Sequence, residues 1–118
     1  MTLFQSGVFV LHSKDVSDWT IDCSVLSDED LDTLAHIGSH LIPEFGEVIG
    51  IPNGGKRFGN AMWAYRSAGP MLIVDDVYTT GDSMNEAKKN PDDIGLVIFA
   101  RNPVKEAWIT PIFTLTKP

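Results

Sequence analysis

The run Met71-Leu72-Ile73-Val74-Asp75-Asp76 constrains the fold of this chain more than any other stretch. Four apolar residues lead directly into two carboxylates. A continuous apolar run bounded by turn residues suits a strand buried on both faces, and such strands sit inside parallel α/β sheets. Beyond Val77 and Tyr78 comes a hydroxyl-rich loop, Thr79-Thr80-Gly81-Asp82-Ser83, and then Met84–Lys89, which can start a helix. Ser83 and Glu86 have the spacing of a capping box. Strand, polar loop and helix start together make an anion site, because N–H groups at a helix start point outward and the dipole favours negative charge. Asp75 and Asp76 fall at the carboxyl end of the strand, where open α/β sheets take their ligands. Carboxylates cannot ligate phosphate directly; they suit sugar hydroxyls or a metal ion. The plainer alternative is a strand–turn–helix unit whose acidic pair caps the sheet edge.

The rest of the chain supplies the partners such a strand needs. Residues 1–6 show no pattern and read as a loose terminus. Val8–His12 and Trp19–Cys23 read as two strands joined by the polar residues 13–18, a hairpin with a long loop. Ser27-Asp28-Glu29-Asp30 is a helix start with its own capping box. Leu31, Leu34, Ala35, Gly38, Leu41 and Ile42 follow at helical spacing, and Pro43 and Gly46 end the helix. His36 and His40 lie four apart on that helix, a spacing able to hold a metal, but with no third ligand in view a solvated face explains them better. Glu47–Pro52 is the next strand. It runs into Asn53-Gly54-Gly55-Lys56-Arg57, where paired glycines let backbone N–H groups approach an anion and the two cations can add charge. Alone, a Gly-Gly turn is commonly just a connector; here a helix with Phe58, Ala61, Met62 and Tyr65 on one face follows it. Gly95–Ala100 is another buried strand, with Arg101 at its carboxyl end. That guanidinium suits a carboxylate or a carbonyl pair, or is simply a surface Arg. Trp108–Leu115 closes the chain as a strand, with Pro111 suggesting an edge or a bulge.

Strands alternating with helices point to the α/β class: a mainly parallel open sheet with a small N-terminal β-hairpin hood over its carboxyl edge. At 118 residues the chain has room for one domain, 1–118. A net charge of −7 argues against nucleic acid, which demands a basic face. No apolar run is long enough to span a membrane, and the N-terminus lacks signal-peptide order. Cys23 stands alone, which leaves no disulfide framework. A cytoplasmic location is the expectation.

Residues 71–83 resemble the phosphoribosyl-diphosphate (PRPP) motif of type I phosphoribosyltransferases: apolar residues, an acidic pair, an apolar residue, and a Thr-Thr-Gly loop ending in Ser or Thr. Pro52, Gly54 and Gly55 match that family's diphosphate loop. The N-terminal segment is similar to the opening of orotate phosphoribosyltransferases, keeping Gly7, Phe9, Leu11, Ser13, Ser17, Trp19 and Asp22. It departs at His12, where the family has a base-contacting lysine, and at Lys14, where it has glycine, so base specificity is left open. A larger departure is Ser67-Ala68-Gly69-Pro70, four residues where the family places another strand and a mobile catalytic loop.

The resemblance implies that Asp75 and Asp76 are the catalytic pair, holding ribose hydroxyls and Mg²⁺. It assigns the 5′-phosphate to Thr79, Thr80, Gly81 and Ser83, while Asp82 in the same substrate-binding loop brings an unexpected negative charge. Asn53, Gly54, Gly55, Lys56 and Arg57 would take the diphosphate, while His12 and Arg101 would orient the base. The implied activity is transfer of ribose 5-phosphate from PRPP to an orotate-like nucleobase. The alternative is a non-catalytic protein of the same fold that senses PRPP or a nucleoside monophosphate. A partner subunit, as in a homodimer, could supply the missing loop lysines.

Overall fold

The computed structural model describes residues 2–10 and 16–115. The elements, in chain order, are β1 (Phe4–Val10), β2 (Val16–Ile21), α1 (Asp28–Ser39), β3 (Val48–Gly50), α2 (Gly55–Met62), β4 (Leu72–Tyr78), α3 (Asp82–Ala87), β5 (Ile94–Ala100) and β6 (Ile109–Thr114). Short 3₁₀ turns at Cys23–Val25 and Trp63–Tyr65 follow β2 and α2. The class is α/β, with a four-stranded sheet in the order β3-β4-β5-β6, parallel throughout, and a separate antiparallel pair β1-β2.

Both faces of the sheet are covered, which is why β4 and β5 read as unbroken apolar runs. Leu72, Val74, Leu96 and Ile98 point to one side and pack with Leu31 and Ala35 of α1 and Phe58 and Met62 of α2. Ile73 and Val97 point to the other, against Met84 of α3 and Val104 and Trp108 of the segment linking β5 to β6. That segment crosses the sheet without a helix. Pro111 sits on β6, the edge strand, where a missing N–H breaks no ladder, as its position in the sequence suggested.

α1 begins as its sequence dictates. Ser27 Oγ accepts from the Asp30 amide (3.0 Å) and Asp30 Oδ2 accepts from the Ser27 amide (2.9 Å), so both arms of the capping box form. It stops at Ser39, short of Leu41, which is left exposed. His36 and His40 sit on its exposed side with ring centroids 4.7 Å apart.

Three expectations change. Phe4, Gln5 and Ser6 are not loose: they pair with Ile21, Thr20 and Trp19, and the Phe4 ring meets Phe99 edge-on at 6.0 Å. β2 ends at Ile21, because Asp22 caps the 3₁₀ turn by accepting from the Ser24 amide, so Cys23 leaves the strand. The Ser83–Glu86 capping box does not form. α3 starts two residues earlier, with Gly81 as N-cap at φ +86° and no side-chain cap, and it is only six residues long. A helix that short adds little dipole.

Between α2 and β4 there is nothing beyond the 3₁₀ turn and residues 66–71, so no strand or long loop intervenes there. Among the described residues no helix is long and apolar enough to cross a membrane.

Candidate functional site

The carboxyl ends of β4 and β5 open into a cavity of about 640 Å³. Its walls bring together Asn53, Gly54, Asp75, Asp76, Thr79, Thr80, Gly81, Asp82, Ser83 and Arg101. Thr20 and Ile21 of β2 close one side, so the hairpin does form a hood over this edge. The hood is tied down by Arg101, whose Nη2 donates to the Trp19 carbonyl at 2.6 Å while its guanidinium lies 3.6 Å from the Trp19 ring centre. His12 lies outside the described residues.

Asp75 and Asp76 project where β4 meets the cavity, each anchored by the next residue's amide. The Asp76 N–H donates to Asp75 Oδ1 and the Val77 N–H donates to Asp76 Oδ1, both at 2.8 Å. Burial, reinforced by the neighbouring Asp76, pushes the Asp75 carboxyl up to about 8. Burial thus favours the protonated form of Asp75. Among the described residues four acidic side chains line the cavity, Asp75, Asp76, Asp82 and Glu86, against one cationic one, Arg101. A phosphorylated ligand entering such a site brings a counter-cation with it, or meets repulsion.

The 52–57 loop is built differently from its sequence reading. Gly55 is buried: a Cβ there would stand 2.8 Å from the Val74 carbonyl oxygen and 3.0 Å from Asp75 Cα. A Cβ on Gly50 would meet the Gly55 carbonyl oxygen at 2.5 Å. These glycines let α2 lie directly on β3 and β4, a packing reason that operates whether or not an anion binds. Gly54 faces the cavity, with the Asp76 carboxyl pressed against the place its Cβ would occupy. The Gly55 amide is committed to the Ile51 carbonyl (2.8 Å) and the Lys56 amide to the Asn53 carbonyl (3.3 Å). Lys56 and Arg57 do not line the cavity. Arg57 instead turns to the start of α1, donating to the Leu26 carbonyl at 2.9 Å and to Asp28 Oδ1 at 3.0 Å.

The segment after β5 contains residues that no local sequence pattern marks. Glu106 Oε1 accepts from Tyr78 Oη at 2.6 Å and its Oε2 accepts from Asn85 Nδ2 at 2.7 Å. Asn102 Nδ2 donates to the Thr79 carbonyl at 2.8 Å. Desolvation raises the Glu106 carboxyl, but the hydrogen bonds from Tyr78 and Asn85 outweigh it and hold the group below its ordinary value.

Asp75 and Asp76 suit Mg²⁺, which is commonly held by one or two carboxylates and completes its shell with water and ligand phosphates. Among the described residues no three or more His, Cys, Asp or Glu are placed together to hold a metal ion.

No protein-family model and no curated protein matches the chain. Solved structures do. UMP synthase of Leishmania donovani aligns at TM-score 0.77 and 19% identity over 96% of this chain and 34% of that one, so the chain spans about a third of that protein. Orotate phosphoribosyltransferase of Aeropyrum pernix aligns at TM-score 0.70 and 22% identity over 95% of this chain and 88% of that one. The Mycobacterium tuberculosis H37Rv orotate phosphoribosyltransferase in complex with inorganic phosphate gives TM-score 0.64 and 14% identity over 92% and 86%. Parallel sheet, separate hairpin and these alignments together make this a type I phosphoribosyltransferase-like fold.

Proposed function

We propose that the cavity binds the ribose 5-phosphate part of PRPP with Mg²⁺, and that the chain is an orotate-type phosphoribosyltransferase. The observation that carries the reading is convergence. The acidic pair and the hydroxyl-rich loop just after it line one cavity of about 640 Å³ with Asn53, Gly54 and Arg101, which come from distant parts of the sequence. Asp75 and Asp76 would hold the ribose hydroxyls and the metal, and residues 79–83 the 5′-phosphate. Arg101 would orient the base beneath the hairpin, with His12 as a second base contact. Asn53 and Gly54 border the diphosphate position; Lys56 and Arg57 would have to swing to reach it. Mg²⁺, when bound, would offset the charge of the diphosphate. The protein's own part is positioning and charge placement around a developing oxocarbenium centre, with no side-chain nucleophile. The bond from C1 of the ribose to diphosphate breaks, a bond from C1 to a ring nitrogen forms, and the base gives up its proton.

A second reading, a non-catalytic protein that senses PRPP or a nucleoside monophosphate, is favoured by one feature. Residues 66–71 pass directly into β4 and leave no room for a lid to exclude water from the reaction. One assay separates the two. PRPP and Mg²⁺ are incubated with a panel of bases and diphosphate release is followed, with the Asp75→Asn/Asp76→Asn variant as control. Release that the control abolishes supports the transferase. Saturable PRPP binding without release supports the sensor, and no binding of PRPP or of any nucleoside monophosphate sinks both.

A further inference from the structure

We infer that Glu106 is a positioning residue that holds the 79–83 loop in its phosphate-receiving shape; this rests on the phosphate reading of that loop given above.

The loop has little to hold it from within. α3 is a helix of six residues with no side-chain cap, and the contact from the Asp82 amide to Thr80 Oγ1 is long at 3.4 Å. Its turn depends on Gly81, whose φ of +86° few other residues adopt. The support comes from behind, from residues more than twenty positions away. The Glu106 carboxylate reaches both flanks of the loop, Tyr78 before it through Oε1 and Asn85 after it through Oε2. Between those two anchors the carboxylate lies against Gly81 itself. A Cβ on Gly81 would stand 2.6 Å from Glu106 Oε2 and 2.9 Å from Tyr78 Cε2. The same segment adds the Lys105 amide to Tyr78 Oη (3.3 Å), Asn102 Nδ2 to the Thr79 carbonyl, and the Arg101 amide to the Tyr78 carbonyl (2.8 Å). Glu106 is the member of this set that spans the loop.

The chemistry favours a carboxylate in particular. Tyr78 and Asn85 both present donors, so the residue between them needs two acceptors. Glutamine offers one acceptor and one donor, so it keeps both contacts only if the Asn85 amide turns to present Oδ1, and the charge-assisted hydrogen bonds become neutral ones. Reversing the partner repairs this: in Glu106→Gln/Asn85→Asp, the new amide donates to the new carboxylate and still accepts from Tyr78. Formal charge is unchanged from the parent. A residue that merely added stability would not make phosphate affinity follow this exchange.

The test is ³¹P NMR titration of the full chain with ribose 5-phosphate in Mg²⁺, alongside thermal melting and hydrogen exchange of the 79–83 amides. Glu106→Gln is expected to weaken binding about tenfold, the loss of one charge-assisted hydrogen bond. Glu106→Ala should weaken it further and speed exchange across the loop. The Glu106→Gln/Asn85→Asp pair should return affinity to within about threefold of the parent. Parent-like affinity in Glu106→Ala, or a double variant no tighter than Glu106→Gln, overturns the inference while leaving the phosphate reading intact. A parent chain that does not take ribose 5-phosphate at all removes that reading, and this inference with it.

Discussion

The two loops that frame the cavity are both glycine-bearing turns after parallel strands, and they are held in opposite ways. The 79–83 loop is braced from outside by the β5–β6 segment and contributes all five of its residues to the cavity wall. The 52–57 loop is braced by its own glycines against β3 and β4, uses two of its amides internally, and sends its Arg to α1. A glycine pattern alone thus cannot say whether a turn receives a ligand or packs a helix. What decides it is where the neighbouring amides and side chains are already committed.

The largest expected effect breaks the comparison if it fails. Asp76→Asn removes charge from the end of β4, where both loops meet, and keeps the amide acceptor for Val77. Affinity for ribose 5-phosphate with Mg²⁺ should fall about 100-fold, roughly 2.7 kcal/mol, measured by calorimetric titration. A fall of less than about threefold would mean that the acidic pair is not the metal and sugar site. Next comes Gly55→Ala, whose added methyl meets backbone at 2.8 Å rather than a flexible side-chain end. It should cost about 2 kcal/mol of stability in urea unfolding with the slope unchanged. Gly54→Ala, facing the Asp76 carboxyl instead, should cost less stability and more affinity. The reverse order would show that the two glycines have exchanged the roles the geometry gives them.

Asp75 links the site to stability through pH. Its carboxyl titrates near 8 in the folded chain and near the ordinary 3.8 when unfolded. Between those values the native state holds a proton that the unfolded state has released, so this group's contribution falls as pH rises from about 4 to about 8. Asp75→Asn keeps the acceptor for the Asp76 amide but cannot titrate. Its melting temperature should rise relative to the parent as pH increases. The gap should widen by about 5 °C or more between pH 5 and pH 8, the shift that ~1 kcal/mol produces in a domain near this size. A gap that is flat with pH would show that Asp75 is ionised throughout.

What the sequence made legible is what chemistry writes locally. The run 71–76 identified β4 and its carboxylates, Ser27 and Asp30 marked the start of α1, and the four residues 67–70 excluded an inserted strand. Each signal spans a few residues because periodicity, capping and chain reach act over that range. Most of the misses are long-range. Glu106 reaches Tyr78 across 28 positions and Arg57 reaches Asp28 across 29, and no spacing rule connects such pairs before the sheet is assembled. Phe4–Ser6 looked formless because its partner strand gives it its order. The failed capping box at Ser83 is instructive in another way: the same spacing works at Ser27, but Gly81 in a left-handed conformation starts α3 first.

Arg57 gives the smallest effect and the finest discrimination between the two loops. Its partner Asp28 is 95% exposed and Arg57 itself 45%, so the ion pair is solvent-screened, and the carbonyl of Leu26 adds one further acceptor. Arg57→Ala should therefore change stability by less than about 1 kcal/mol. If Arg57 stays on α1 when ligand binds, the substitution should also leave PRPP and ribose 5-phosphate affinity equal to the parent's. If it swings into the cavity to meet a diphosphate, PRPP affinity alone should drop, by about tenfold for one lost charge-assisted contact, while ribose 5-phosphate, which lacks the diphosphate, should not respond. Measuring the two ligands side by side on Arg57→Ala thus tells whether the 52–57 loop is a diphosphate site held in reserve or a packing turn that has given its cation to α1.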